Sequence, residues 1–243
     1  MGLAKSRKRA QALIMSGKVF VDGQKATKAG IRIKPHQQVV LKEPDHPYVS
    51  RGGLKLERVL KQRPDLFSGL RVMDVGASTG GFTDCLLRYG AEAVVAVDVG
   101  YGQLDWKLRT DPRVDVLERT NIRHVKSRDL PFRPQGAVID VSFISLRIVL
   151  PVVVGLIEQG SPVVALIKPQ FELDRQSVGK KGVVGDPEKR RRAVDSVVEL
   201  AGRLRMEVSE VVCSPIRGPK GNEEFLMVAR TPHAAALDGK GET

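Results

Sequence analysis

The sequence predicts an α/β fold, an open and mostly parallel sheet whose last strand runs antiparallel, preceded by a small basic module. Three observations predict it. The stretch Val72–Asp84, VMDVGASTGGFTD, reads as a buried strand, a glycine turn and the start of a helix. Ala93–Asp98, AVVAVD, is a second apolar strand ending in an acid, at about the 20-residue spacing from the glycines at which an acid meets a ribose. Two more apolar runs, 137–143 and 163–167, follow with helical stretches between, and the pair 206–213 and 223–229 returns as a hairpin. A sheet of this Rossmann-like kind holds a nucleoside where glycine turn and helix N-terminus meet.

Taken in order, residues 4–17 read as a basic helix with Ala10, Leu13 and Ile14 on one side, Ser6 as its cap and Gly17 as its end. Val19–Val21 is a short strand, Asp22-Gly23 a tight hairpin turn, and Val39–Leu41 a further strand, with Ile31 and Ile33 alternating with basic residues between. Pro44–Pro47 is a linker, and Ser50 with Gly52-Gly53 introduces a helix bearing Lys55 and Arg58. The expected division is a basic module over 1–45, a linker and helix over 46–69, the α/β domain over 70–231 and a flexible tail over 232–243.

Beyond the second strand, Tyr101 and Trp106 either frame a pocket or pack into the core. A short strand over 116–121 brings Glu118 to Asn121 near the adenine end of a bound nucleoside. The strand 137–143 puts Asp140 at the carboxyl end, where open α/β sheets bind ligands. Ser142 and Ser145 are candidate caps of the helix 146–157. Lys168 closes the next strand, and a charge at a buried edge needs a partner or a function. Residues 172–186 read as a mobile basic loop. Asp186-Pro187 starts a helix running to Leu204 with Arg190, Arg191 and Arg192 facing outward.

Composition narrows the class. The net charge of +12 favours a polyanionic partner, and only 5% aromatic residues argue for phosphate contact and shape reading over a broad stacking platform. No apolar run reaches eighteen residues, so no stable membrane insertion is expected. Two cysteines, Cys85 and Cys213, both expected to be buried thiols, and four scattered histidines offer no metal site. These features point to a reducing, cytoplasmic compartment.

The glycines fit G-x-G-x-x-G poorly, and no Lys follows them as a Walker loop requires. D-V-G-x-x-x-G-G-F instead resembles the motif of methyltransferases that use S-adenosylmethionine (AdoMet). That resemblance implies a cofactor site of Asp74, Gly76, Ala77, Ser78, Gly80, Gly81, Phe82, Asp98, Asn121 and Asp140. Asp74 would serve the amino-acid or sulfonium side and Asp98 the ribose.

Two further resemblances cover nearly the whole chain. GLAKSRKRAQALIMSGKVFVDGQKATKAG resembles the alpha-L RNA-binding motif, which implies RNA contacts by Arg7, Arg9, Lys18, Lys25 and Lys28. It begins only at the end of the R-L-D-x-x-L-V-x-R-G-L helix of that motif, so the module's first helix is expected to be missing. Lys55, Asp140, Lys168 and Glu224 form a K-D-K-E order similar to the catalytic set of FtsJ-like RNA ribose methyltransferases. The words SRGGLKLE, DVSFISL, LIKPQFE, VGKKGVVGDP and GPKGNEEFL resemble the TlyA family of ribosomal RNA cytidine-2′-O-methyltransferases, also described as haemolysins. The family loop ends in D-P-x-x-H, where this chain has Arg190.

The resemblance implies methyl transfer to a cytidine 2′-hydroxyl in 16S and/or 23S ribosomal RNA, with ribosomal subunits as partners, AdoMet as cofactor and no metal. Lys168 is the candidate to stabilise the alkoxide or take the proton. Lys55 orients the ribose or a phosphate, Asp140 fixes Lys168, and Glu224 orients the hydroxyl or a lysine. Arg58, Lys180 and Lys181 are added RNA-contact candidates. The alternatives are a base methyltransferase, which needs an aromatic-proline tetrad or catalytic cysteine not evident here, a non-catalytic RNA-binding assembly factor, and a membrane-active haemolysin.

Overall fold

In the computed structural model of the chain, the described residues are 3–4, 7–15, 17–26, 28–41, 46–179, 181–218 and 220–233. Ser6, Lys180, the side chain of Arg9 and the tail from 234 onward lie outside the described residues.

The first module has α1 (Arg7–Met15) and a small antiparallel sheet of β1 (Val19–Val21), β2 (Gln24–Lys25) and β3 (Val39–Leu41) in the order β2-β1-β3. Asp22 and Gly23 have φ of 48° and 78°. Two consecutive positive φ values match the turn that follows the twist of a hairpin. The Asp22 carboxylate also holds the third strand, accepting from the Gln38 N–H and the Gln37 amide, each at 2.8 Å. Ile31 and Ile33 form no strand.

The large sheet contains β4 (Arg71–Val75), β5 (Ala93–Val97), β6 (Val114–Leu117), β7 (Gly136–Ile139), β8 (Pro162–Ile167), β9 (Glu207–Cys213) and β10 (Phe225–Arg230). Its order is β6-β5-β4-β7-β8-β10-β9, and only β10 runs against its neighbours. The helices are α2 (Gly52–Leu60), α3 (Gly81–Arg88), α4 (Trp106–Arg109), α5 (Leu146–Leu156), α6 (Pro169–Glu172) and α7 (Pro187–Arg203). The order reverses between β4 and β7, which opens a crevice at the carboxyl ends of these two strands.

Side chains alternate across the sheet with period two. Val72, Val138, Val164, Leu166, Leu226 and Val228 pack with α2 and α3, whereas Met73, Val75, Ile139, Ala165, Ile167 and Met227 pack with α5 and α7. The parity carries past the strand ends, so Asp74, Asp140, Lys168 and Glu224 all belong to the α2 side.

Several expectations need correction. β7 stops at Ile139, not Phe143, because Asp140 onward turns over the crevice. Cys85 is buried but Cys213 is exposed, at the end of the edge strand β9. Tyr101 and Trp106 are exposed and so are not core residues. Arg190 turns inward onto the Glu223 carboxylate. Val184 is buried within the loop read as mobile. Residues 231–233 are anchored, since Thr231 accepts from the Ser161 N–H at 2.8 Å and Pro232 from that of Gly160 at 3.0 Å.

α2 seats on buried Tyr48 so closely that a Cβ on Gly53 would sit 2.3 Å from its ring. Gly53→Ala is therefore expected to destabilise the protein by about 1–3 kcal/mol through overpacking, measured as a lower denaturant midpoint at unchanged slope.

Candidate active site

β4 delivers its chain to Gly76, where φ is 83° and a Cβ would sit 2.5 Å from the Asp140 carbonyl oxygen. Only glycine lets the turns after β4 and β7 approach this closely. Ser78 also has positive φ, 49°, and its N–H donates to Asp98 Oδ2 at 2.7 Å, while the Gly100 N–H donates to Oδ1 at 2.6 Å. Asp98 thus ties the turns after β4 and β5 together. Asn121 lies against the same region and caps the next turn, accepting from the Arg123 N–H at 3.1 Å.

The other predicted cofactor residues divide. Gly80 and Gly81 are demanded by packing: a Cβ on the former would strike Leu108, and on the latter the backbone of Gly52 and Gly53. The side chains of Ala77 and Phe82 are buried in the α2/α3 core. Asp74 is 0% exposed; its Oδ2 accepts from the Thr83 hydroxyl at 2.6 Å, and its Oδ1 finds no hydrogen-bond partner among the described residues. Burial pushes its carboxyl up to about 7, with the neighbouring Asp140 and Asp98 charges adding to the rise and Thr83 opposing it.

At the other end of the crevice the four predicted catalytic residues meet. β10 is antiparallel to β8 with Phe225 opposite Ile167, so Glu224 and Lys168 are neighbours by register. Lys55 reaches down from α2. Lys168 Nζ lies 2.6 Å from Asp140 Oδ1, Lys55 Nζ lies 3.9 Å from Asp140 Oδ2, and Lys55 Nζ lies 2.7 Å from Glu224 Oε2. The charges alternate along the line Lys168, Asp140, Lys55, Glu224. Glu224 is 1% exposed and both lysines are buried, while Asp140 is the most open of the four.

Residues the sequence reading missed frame this line. Ser142, read as a helix cap, accepts from Lys168 Nζ at 2.9 Å, and Ser145 alone caps α5. Glu172, read as loop, is buried and takes the Ser145 hydroxyl at 2.5 Å and the Leu146 N–H at 3.0 Å. It fastens the Asp140–Ser145 turn to the turn after Lys168. Phe143 is 91% exposed with φ 64°, and its ring lies 5.2 Å from that of Phe171, which is 5.9 Å from Lys168 Nζ. A positive φ at an aromatic residue was not visible in the sequence.

The predicted RNA contacts are more dispersed. Arg7, Lys25 and Lys28 are exposed in the first module, Lys18 is half-buried there, Arg58 is half-buried on α2, and Lys181 is exposed between α6 and α7. Among the described residues no group of His, Cys, Asp and Glu could hold a metal ion, and no helix is long and apolar enough to cross a membrane.

Comparison with known proteins agrees with this arrangement. Residues 48–231 match the FtsJ-like methyltransferase model. The chain belongs to that family. Residues 1–39 match the S4 domain. The 16S/23S rRNA (cytidine-2′-O)-methyltransferase TlyA of Mycobacterium tuberculosis is 45% identical over 99% of this chain and 90% of its own. Hemolysin A of Brachyspira hyodysenteriae is 38% identical over 93% of this chain and 94% of its own. A solved Streptococcus thermophilus structure, provisionally assigned as a hemolysin, superposes with a TM-score of 0.77 at 40% identity, covering 95% of this chain and 85% of that one.

Removing one member of the buried line strands its partner. Lys55→Ala is expected to cost about 3–5 kcal/mol, and the double variant Lys55→Ala/Glu224→Ala to recover part of that loss. A double-mutant cycle by denaturant unfolding checks it; strict additivity would show that the pair is not coupled.

Proposed function

We propose that the protein transfers a methyl group from AdoMet to the 2′-hydroxyl of a cytidine in ribosomal RNA, 16S and/or 23S. The observation that carries this reading is the alternating line of two lysines and two carboxylates at the switch-point crevice. It provides fixed positive charge for an oxygen that must become an alkoxide. The TlyA relative's specificity supports the choice of cytidine in RNA, and the S4 match with its basic surface supports RNA as the partner.

The crevice fits AdoMet. Asp74 Oδ1 is a buried acceptor without a partner among the described residues, Gly76 lets the turns after β4 and β7 close on each other beside it, and Asp98 lies a strand away, at the position from which an acid reaches a ribose. When bound, AdoMet supplies a methyl group on positively charged sulfur, and no metal is called for. Asp140, between the two ends of the crevice, keeps Lys168 aimed with the help of Ser142. Lys168 stabilises the developing alkoxide, in a site where the donor is already oriented. Lys55 holds the ribose or its phosphate. Glu224 is too buried to meet the hydroxyl, which supports a positioning role through Lys55. In-line transfer then depends on holding the attacking ribose oxygen and the methyl carbon close.

Phe143 and Phe171 offer an exposed aromatic face beside Lys168. A base drawn out of its helix can stack there, which contributes about 1–3 kcal/mol. The strained φ of Phe143 costs on the order of 1–3 kcal/mol and keeps the ring out of the core. Burial of Cys85, whose thiol is pushed up to about 12, removes it as a nucleophile for base methylation.

Labelled methyl transfer to separated small and large subunits, followed by nucleoside analysis, tests the reading. The expected product is 2′-O-methylcytidine. Lys168→Ala should lower the rate on the order of 10²–10⁴-fold with RNA binding retained, and Phe143→Ala should raise KM for RNA about tenfold. Base methylation, or no transfer to either subunit, would overturn it.

The Asp74 carboxyl gives an independent test by binding. Its raised value means that the anion is present above pH 7 and is lost as pH falls below it. Calorimetric titration should therefore show AdoMet binding weakening between pH 8 and pH 6, and Asp74→Asn should flatten the profile. An unchanged slope in the variant would exclude Asp74 from the cofactor site.

A further inference from the structure

Two loops outside the charge line meet beside Glu224. One is the basic segment 181–186 before α7, and the other is the turn 214–224 between β9 and β10. Asn222, 3% exposed, spans them with its whole amide: Oδ1 accepts from the Val184 N–H at 2.9 Å, and Nδ2 donates to the Gly182 carbonyl at 2.8 Å. Arg190, on the first turns of α7, completes the join. Its Nη1 donates to the carbonyls of Val184 at 3.1 Å and Gly185 at 2.8 Å, and its Nε pairs with Glu223 at 3.1 Å. Arg217 takes the other oxygen of Glu223 at 2.9 Å.

The turn itself wraps the catalytic carboxylate. The Ser214 N–H donates to the Glu224 carbonyl at 2.8 Å, the Gly218 N–H donates to the Asn222 carbonyl at 2.9 Å, and a Cβ on Gly218 would sit 2.4 Å from Glu224 Oε1. The segment 182–185 lies outside the strands and helices; beyond the backbone bonds from the Gly182 N–H to the Gly179 carbonyl and from the Gly179 N–H to the Val183 carbonyl, its polar backbone is met by these two side chains. A glycine-rich loop tied to the neighbouring turn by so few side chains opens at little cost once they are removed. On its outer side Lys181 is exposed, and Lys220 lies beside Gly182. Two cations there suit the phosphates flanking a target nucleotide, contacts that fix position and not sequence.

We propose that Asn222 and Arg190 are positioning residues that latch the segment 181–186 to the turn bearing Glu224, so that an RNA backbone seated on Lys181 and Lys220 sets its ribose over Lys55. The proposal rests on the RNA methyl transfer described above. Its charge-assisted fork explains why an arginine serves here: one guanidinium meets two carbonyls and a carboxylate at once.

Asn222→Ala, Arg190→Ala and Arg190→Lys test it on the full-length protein, by methyl transfer kinetics, AdoMet titration, thermal unfolding and amide hydrogen exchange. The alanine variants should lose kcat on the order of 10- to 100-fold through misplacement of the ribose, with AdoMet affinity unchanged and Val184 amide exchange accelerated. Arg190→Lys keeps the charge but not the fork and should fall between. Wild-type kinetics in both alanine variants would overturn the latch, as would losses of rate matched by equal losses of AdoMet affinity and folding. If the wild type methylates no RNA, the functional reading fails by itself. Amide exchange then decides the latch: unchanged protection of Val184 in the variants overturns it.

Discussion

Four charges in alternation, Lys168, Asp140, Lys55 and Glu224, all but Asp140 buried, constrain everything around them. An isolated ion in a protein interior costs several kcal/mol, so none of the four is tolerable without its neighbour. Meeting that condition fixes the architecture. α2 must lie over the carboxyl ends of β7 and β8, and Gly53 and Gly81 make its close seat on Tyr48 and α3 possible. β10 must run antiparallel, because only a strand that starts where β8 ends can place the residue before it beside Lys168.

The same constraint suits the proposed chemistry. Two ammonium groups held by two carboxylates need no reorganisation when charge develops on an oxygen placed among them, and surrounding protein raises their effect relative to water. The carboxylates are not equivalent. Asp140 is the more open and lies nearest the glycine turn, between the switch-point crevice and the lysines. Glu224 is enclosed by its turn and acts on Lys55. Asp74, on the same side of the sheet, is a third acid with the opposite electrostatic setting: among the described residues no cation pairs with it, and burial raises its carboxyl.

Around this line lies a layer of residues that touch the segments carrying it without joining it. Ser142 braces Lys168, Glu172 fastens the Asp140 turn to the turn after β8, and Asn222 with Arg190 fastens the loop before α7 to the turn of Glu224. Each connects irregular backbone that has no ladder of its own. The strands bring the four charges to one edge, and these cross-links hold the loops that carry them.

The sequence by itself determined the sheet, the glycine turn and the K-D-K-E set. Apolar runs of strand length, a hairpin at the end, and polar residues at the strand ends are local patterns whose period two survives in one dimension. It also indicated the Asp186-Pro187 helix start and the Asp22-Gly23 turn, since both depend on neighbouring residues. Only the tertiary structure decided that Glu172 and Arg190 turn inward, that Cys213 faces outward, that Gly80 and Gly81 serve packing, and that Phe143 stands exposed beside Phe171. Those outcomes depend on partners from 26 to 40 positions away, as with Glu172 and Leu146 or Asn222 and Gly182, or on a strained φ that the surroundings impose. Contacts at such separation leave no periodic trace in the chain, because burial and hydrogen-bond satisfaction are settled only when the sheet has brought the loops together.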